Sequence, residues 1–267
     1  LKQNLLPGVP FIFGDILFPE QLKKAMKNVD SIIHLAAFKS SEVSMIHPEK
    51  YAENNISGTI NLLNAASESK IRFFVFSSSA SVYGEPKYLP LDENHPTNPL
   101  NFYGHTKLEI ENLLKWYSKL KDMRFSSLRY FNAAGYDIDG ELNGIEKDPN
   151  NLLPIVLETI MGKREKVEVF GIDYETGDGS CIRDYIHVSD LAEARLRSSV
   201  EQFGAGVSQG CRLRFCDDEL HECGCVEVQR HGSVALVVAD LGQDGSQGRG
   251  LGRRRDCGAC GARARRR

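Results

Sequence analysis

Long hydrophobic runs are missing from this chain of 267 residues. No uninterrupted apolar stretch reaches about 18 residues, so the sequence predicts no membrane-spanning helix. The first residues show no charged segment followed by an apolar run, and we therefore expect no signal peptide. The formal net charge is only -3, which excludes a strongly basic surface for nucleic acid. We expect neither nucleic acid nor a membrane as a partner.

Cysteine is scarce in most of the chain. Of the seven cysteines, only Cys181 precedes Arg195. A single cysteine excludes a disulfide framework in that part and is typical of a reducing compartment. We therefore expect a cytoplasmic protein.

Eight residue types are absent from Arg195 onward, among them lysine, asparagine, isoleucine and proline, while arginine, glycine and cysteine are enriched there. So abrupt a change favours translation of a GC-rich segment in another reading frame over a genuine second domain. The composition predicts a folded domain at residues 1–194 and an atypical tail, either frame-shifted or disordered, at residues 195–267.

The cysteines of that tail raise the question of a zinc site. The candidate ligands are Cys211, Cys216, His221, Cys223, Cys225, Cys257 and Cys260. Their spacing does not form two matched Cys-x-x-Cys pairs, which structural zinc sites commonly use. We therefore predict no metal.

Short apolar runs alternate with helical patterns in the first part. Strands are predicted at 9–13, 31–37, 72–76 and 125–131, and helices at 19–29, 48–68 and 102–119. This alternation favours an α/β fold with a doubly wound, Rossmann-like, mostly parallel sheet covered on both faces. Ligands of such sheets collect at the carboxyl ends of the strands. The unusual polar groups stand at those ends: Asp15, the turn at residues 36–39, Ser77-Ser78-Ser79, and Asn132.

A tyrosine and a lysine stand four residues apart at the start of the third predicted helix, in Tyr103-Gly104-His105-Thr106-Lys107. This spacing puts both side chains on one helix face. The preceding strand ends in serines, so a hydroxyl, a phenol and an ammonium can converge. An ammonium favours the phenolate and lowers the pKa of a phenol from its usual ~10. Such a group suits removal of a proton from an alcohol while hydride leaves the same carbon.

Several ordered blocks accompany this pair. They are Gly14-Asp15-Ile16, residues 33–39, 53–59, 76–84, 103–107, 128–132, 150–154 and 178–188. On these blocks the chain, from about Val9 to Ala194, resembles the UDP-glucose 4-epimerases of the extended short-chain dehydrogenase/reductase superfamily. Related dehydratases carry an Asp-Glu pair where Ala80-Ser81 stands here, which counts against dehydration.

The resemblance implies an NAD-dependent isomerase acting on UDP-glucose and UDP-galactose. Its catalytic residues would be Ser79, Tyr103 and Lys107: Tyr103 takes the proton of the sugar 4-hydroxyl with Ser79 bridging, while Lys107 anchors the nicotinamide ribose. Hydride would pass from C4 to NAD and return to the other face. Further implied NAD contacts are Asp15, Ile16, Leu35, Ala36, Ala37, Lys39, Asn54 and Phe131. Implied substrate contacts are Ser79, Tyr103, Asn132, Asn151 and Arg183. Relatives commonly pair as homodimers through helices like those predicted at 48–68 and 102–119.

Two departures from the family keep other functions open. The family begins with a strand and a glycine-rich turn that holds the pyrophosphate. No such turn precedes Asp15, and nothing after Leu196 matches the family's C-terminal region, so we expect a chain without either segment. An inactive fragment or nucleotide-sugar binding module therefore remains an alternative. Another NAD-dependent UDP-sugar epimerase or decarboxylase is a further one, and plain and N-acetylated hexoses are not distinguished.

Overall fold

The computed structural model describes residues 11–137, 139–140, 149–204 and 234–237. The α-helices in these ranges are α1 (Pro19–Ala25), α2 (Ser41–Ile46), α3 (Pro48–Tyr51), α4 (Gly58–Glu68), α5 (Phe102–Lys121), α6 (Leu152–Ile160) and α7 (Val188–Gly204). The strands are β1 (Ser31–His34), β2 (Phe73–Ser77), β3 (Arg124–Leu128), β4 (Asn132–Ala134), β5 (Tyr185–His187) and β6 (Val234–Val237). A π-helical turn at Ala52–Ser57 joins α3 to α4, and a 3-10 turn at Ala80–Val82 follows β2.

The main sheet has the strand order β3-β2-β1-β6, and all its pairs are parallel. Ile33 of β1 lies opposite Val75 of β2 on one side and Leu236 of β6 on the other. Strands β4 and β5 form a second, two-stranded parallel sheet. The predicted parallel α/β sheet is confirmed, and the carboxyl ends of β1, β2 and β3 meet at one edge.

Helices cover both faces of the main sheet. Ile32 and Phe74 belong to a core on one face that includes side chains of α1, α4 and α5. Ile33 and Val75 point to the other face and pack with Ala194 of α7. Full burial of an aliphatic or aromatic side chain stabilises a fold by roughly 1.5–3 kcal/mol. Successive side chains of β1 and β2 are buried on opposite faces of the sheet, and this burial holds helices on both faces, as the doubly wound arrangement requires.

The strand predicted at residues 9–13 is wrong for the part of it that the structure describes. Phe11, Ile12 and Phe13 belong to no strand, and Phe13 is 87% exposed. The edge of β1 that faces away from β2 is paired with β6. An extended segment needs a ladder partner for its backbone N–H and C=O groups, and this edge is already taken.

Other boundaries differ by a few residues. Helix α1 stops before the predicted residue 29, since Asn28 adopts a positive φ of 58°. The helix predicted at 48–68 is present but carries the π-helical turn, and α2 was not predicted. Strand β3 ends at Leu128, short of the predicted residue 131.

The division of the chain at residue 194 stays a prediction, and α7 runs across it to Gly204. Part of the predicted tail forms β6, while all the candidate zinc ligands of that tail lie outside the described residues. No helix in the described ranges is long and apolar enough to span a bilayer.

Candidate active site

The first turn of α5 lies directly against the serine turn that follows β2. Asn101 caps the helix, because its side-chain oxygen accepts a hydrogen bond from Gly104 N at 2.8 Å. A Cβ atom on Gly104 would lie 2.6 Å from the Ser81 carbonyl oxygen. Only a glycine permits this approach, and it places Tyr103 beside Ser79.

The Ser79 side chain lies beside Tyr103, and its hydroxyl donates to Ser81 Oγ at 3.2 Å. Burial raises the pKa of Tyr103, the nearby Tyr130 adds to the rise, and the Ser79 hydroxyl opposes it. The lowered phenol pKa that we predicted from the neighbouring lysine is therefore wrong for the chain without a ligand. Without a ligand, the Tyr103 phenol stays protonated at neutral pH.

Lys107 reaches the same strand end from the next turn of α5. Its Nζ donates to the Ser77 carbonyl oxygen at 2.7 Å and lies 5.7 Å from the centre of the Tyr103 ring. The side chain is 3% exposed. Burial and, to a smaller extent, the charge of Arg195 together lower the pKa of Lys107 to about 7, although Glu111 opposes both. Ser77 O is the one hydrogen-bond acceptor that the ammonium meets within the described ranges, so two N–H donors remain for a ligand.

A buried ion pair that the sequence analysis missed lies one turn further along α5. Glu111 is 3% exposed and accepts from the Ser78 hydroxyl at 2.5 Å. Arg129 donates to both Glu111 oxygens, from Nε at 3.0 Å and from Nη2 at 2.6 Å. Although burial alone would lower it, this pairing raises the pKa of Arg129. The signal in the sequence was the four-residue spacing from Lys107, which also suits an exposed glutamate.

The turn after β1 carries four of the implied NAD contacts, and the π-helical turn carries Asn54. Ala36 and Asn54 are buried, Leu35 and Ala37 are half-buried, and Lys39 is exposed. The turn is fixed by Asn55, a residue for which the sequence suggested no role. Its side chain binds both backbone groups of Phe38, at 2.9 Å and 3.1 Å, and reaches Thr106 Oγ1 of α5 at 3.3 Å. The end of β1 is thereby tied to the helix that carries Tyr103 and Lys107.

Asp15 and Ile16 lie in a loop and not at a strand end. The Asp15 carboxylate accepts from Leu17 N at 2.9 Å, and Ile16 is buried. A Cβ atom on Gly58 would lie 2.6 Å from Ile16 Cδ1, so this loop packs closely on α4. Phe131, the last implied NAD contact, is 40% exposed in the connection between β3 and β4.

Two of the implied substrate contacts are brought together by the small sheet. Asn132 of β4 donates from Nδ2 to the Asp184 carbonyl oxygen at 2.9 Å. Arg183, half-buried, is the residue before Asp184. Ala80 N donates to Tyr130 O at 3.0 Å, which links the serine turn to the segment just before Asn132. Asn151 lies apart from them in sequence, at the start of α6, where it is exposed and makes no capping bond with its side chain.

His34 and Cys181 have simpler surroundings. His34 is 1% exposed, with Nε2 2.9 Å from Thr59 Oγ1, and burial together with the charge of Lys107 lowers its pKa to about 3. Cys181 is a half-buried free thiol. Over the described ranges, no group of three His, Cys, Asp or Glu side chains is arranged to hold a metal ion.

Comparison with known proteins gives consistent matches. The profile of the NAD dependent epimerase/dehydratase family matches residues 2–203. A curated UDP-glucose 4-epimerase from Halalkalibacterium halodurans is 44% identical over 191 residues, which are 71% of this chain and 57% of that protein. The chain therefore spans less than two thirds of the length of this relative.

Solved structures agree with these matches. The UDP-glucose 4-epimerase from Brucella ovis in complex with NAD is 42% identical, with a TM-score of 0.71 over 73% of this chain and 61% of that chain. The UDP-glucose 4-epimerase from Bifidobacterium longum in complex with NAD+ and UDP is 37% identical, with a TM-score of 0.66 over 71% of this chain and 58% of that chain.

Proposed function

The chain belongs to the NAD dependent epimerase/dehydratase family, and from this membership we propose that it interconverts UDP-glucose and UDP-galactose by 4-epimerisation with NAD as cofactor. The observation that carries the proposal is the meeting of Ser79, Tyr103 and Lys107 at the end of β2. The names of the similar proteins support the substrate, and NAD in the two solved structures supports the cofactor.

Tyr103 and Ser79 are proposed to move the proton of the sugar 4-hydroxyl. The Tyr103 oxygen takes this proton while the C4 hydrogen departs, and it returns the proton when the hydrogen comes back on the other face. The Ser79 hydroxyl lies beside Tyr103 and would bridge it to the sugar oxygen. When bound, NAD supplies the acceptor for the C4 hydrogen and a positive charge that favours the Tyr103 phenolate.

Lys107 is proposed to hold the ribose next to the nicotinamide. Its ammonium is fixed by Ser77 O, and its two further N–H donors suit the two hydroxyls of a ribose. This arrangement fits the cofactor because the buried ammonium has little access to water, and the hydroxyls of a ligand would supply the hydrogen-bond partners that water does not.

The remaining contacts are proposed on the family resemblance and on position. For NAD they are Asp15, Ile16, Leu35, Ala36, Ala37, Lys39, Asn54 and Phe131. For the nucleotide sugar they are Asn132, Asn151 and Arg183, and a charge-assisted bond from Arg183 to the diphosphate is the strongest of these. The hydrogen bonds of Asn132 and Asn55 show that the segments carrying most of these residues are fixed in place.

The test uses the full chain and a tyrosine variant. We expect purified protein to release NAD on denaturation and to convert UDP-galactose to UDP-glucose in a coupled assay. Tyr103→Phe removes the proton acceptor and should lower kcat by about 100-fold or more while NAD stays bound. Tyr88→Phe is the matched control, since Tyr88 is exposed and its hydroxyl binds Asp92, and its kcat should equal that of the parent.

Three outcomes contradict parts of this proposal. Protein with no bound nicotinamide and no conversion would overturn the enzymatic function. Binding of NAD or UDP without conversion would favour the nucleotide-sugar binding module. Faster turnover of UDP-glucuronate or of an N-acetylated UDP-hexose would reassign the substrate.

We also propose a homodimer and a cytoplasmic location. Trp116 and Leu120 stand one turn apart on α5 and are 59% and 70% exposed, which suits a helix-to-helix contact. Cys181, the one cysteine among the described residues, is a free thiol, as a reducing compartment favours. Cell fractionation with an antibody to the chain tests the location, and recovery in a secreted fraction would contradict it.

A further inference from the structure

Each of three consecutive serines at the end of β2 faces one side chain of α5. Ser77 and Ser78 are hydrogen-bonded to Lys107 and Glu111, and Ser79 lies beside Tyr103. The three α5 residues are spaced four apart and therefore lie along one face of the helix. Two of the pairs belong to the proposed chemistry, whereas the pair in the middle has no part in it so far.

The middle pair has the most hydrogen bonds of the three. Arg129 binds both carboxylate oxygens of Glu111, and its guanidinium lies 4.9 Å from the centre of the Tyr83 ring. Arg129 therefore fixes Glu111 while Glu111 Oε1 accepts a hydrogen bond from the Ser78 hydroxyl at 2.5 Å. Neighbouring Cα atoms are about 3.8 Å apart, so fixing Ser78 restricts both Ser77 and Ser79.

Stability alone is a weak reason for such an arrangement. A buried ion pair loses much of its attraction to desolvation, and well-packed apolar residues of similar size often stabilise a fold equally well or better. A charged pair with one member 3% exposed and the other 17% exposed suggests a task that apolar side chains cannot perform. Accepting the hydrogen bond of the Ser78 hydroxyl is such a task.

We propose that Glu111 is a positioning residue for the reaction, holding Ser78 so that the Lys107 ammonium stays at the end of β2 and Ser79 stays beside Tyr103. This inference rests on the proposed function. Glu111 does not touch the substrate in this scheme, and it acts through the backbone of the serine turn and through its charge near Lys107.

The charge arrangement around Lys107 gives a readout that a purely structural role would not move. The groups that face it are Glu111 on its own helix, Arg195 on α7 and His34 at the end of β1. Glu111 raises the pKa of Lys107 and Arg195 lowers it. Glu111→Gln keeps the shape of the side chain and removes its charge, so the titration of Lys107 should move to lower pH.

The first measurement uses the ligand-free full chain with carbon-13 in its lysines. The Lys107 resonance is assigned by its loss in Lys107→Met, and its titration is followed by NMR. We expect Glu111→Gln to lower the midpoint by about one pH unit and to change the Cζ resonance of Tyr103 in a tyrosine-labelled sample. Glu109→Gln makes the same charge change two residues away on the same helix and should leave both signals in place. Equal behaviour of the two variants would overturn the proposal.

The second measurement separates positioning from folding. Glu111→Gln should lower kcat about tenfold or more and leave KM for UDP-galactose within about twofold, because the substrate contacts are untouched. The single variant Glu111→Gln leaves the Arg129 guanidinium without its carboxylate partner, which can destabilise the protein. The double variant Glu111→Gln with Arg129→Met removes that buried charge. We expect this double variant to regain stability without regaining kcat. Recovery of kcat together with stability would show that the pair is only structural.

Failure of the proposed function would be recognised separately. If the parent chain does not convert UDP-galactose, the epimerase assignment fails. The NMR comparison of Glu111→Gln with Glu109→Gln still decides whether Glu111 controls Lys107 and Tyr103. If the parent is active and the NMR signals do not move, only the role of Glu111 is overturned.

Discussion

The candidate site is built from side chains that are costly to bury. His34, Lys107 and Glu111 are 1%, 3% and 3% exposed. Burial lowers the pKa of Lys107 to about 7 and that of His34 to about 3, which means that the folded chain disfavours their charged forms. The presence of such groups at one strand end, where apolar residues would be more stable, is typical of a functional site.

Lys107→Met should therefore stabilise the protein while removing its function. The folded-state pKa of Lys107 lies below its unfolded value, so the cost of burying the ammonium is fully present below about pH 7 and disappears as the pH rises toward 10.5. We expect urea unfolding to show a gain in the free energy of unfolding that is larger at pH 6.5 than at pH 9.5 by about 1–3 kcal/mol. Lys115→Met, on the exposed side of the same helix, should show no such difference. A gain independent of pH would contradict the buried charge.

The site residues differ in how far the sequence could predict them. The spacing of Tyr103 and Lys107 predicted a common helix face, and the structure places both beside the serines. Glu111 has the same spacing from Lys107 but was not selected. A glutamate at helical spacing is usually exposed, and only the packing of Arg129 from β3's end shows that this one is buried.

At the scale of elements, α5 is the part that organises the site. The pattern predicted it at 102–119, and the structure has Phe102–Lys121 with Asn101 as its cap. The π-helical turn before α4 was not foreseen, since it leaves no mark in apolar spacing. It carries Asn54 and Asn55 into the interior, where Asn55 holds the turn after β1.

Gly104→Ala should separate α5 from the serine turn. The added Cβ would lie 2.6 Å from a backbone oxygen, which cannot move as a flexible side chain does. Although alanine favours the helix, we expect a net loss of about 1–2 kcal/mol in the free energy of unfolding and a fall in kcat. Gly177→Ala is the control, because nothing lies within 4 Å of its added Cβ. It should change neither the free energy of unfolding nor kcat. Unchanged activity in Gly104→Ala would show that the close contact is not needed.

At the scale of the whole molecule, expectation and structure differ most in which segments form strands, and the structure pairs an unexpected segment with the edge of β1 that faces away from β2. Residues 9–13 were predicted as a strand from local apolarity, and the described ones are exposed loop. Residues 234–237 lie in an apolar stretch for which the sequence left a strand and a loose segment equally open, and they form the parallel partner of β1 instead. Pairing of distant segments depends on which edge is free, and no local property of the sequence reports that.

The proposed homodimer can be followed through the one tryptophan of the chain, Trp116. Pairing through α5 would bury this side chain, so its emission maximum should shift to shorter wavelength as protein concentration rises. Sedimentation velocity should show twice the mass of 29.8 kDa over the same range. Leu120→Glu should weaken the dimer, while Leu89→Glu, at a 54% exposed position elsewhere, should not. A single 29.8 kDa species with constant emission would contradict the dimer.

The sequence by itself determined the class of sheet, the helix that begins at Phe102 and the convergence of a serine, a tyrosine and a lysine, because these follow from periodicity and spacing within short segments. The tertiary structure decided which strand pairs with β1, which polar side chains are buried, and that Glu111 and Asn55 hold the two turns of the site. Burial and hydrogen-bond partnership arise between segments far apart in the chain, so their effects on pKa and geometry appear only once the segments are packed together.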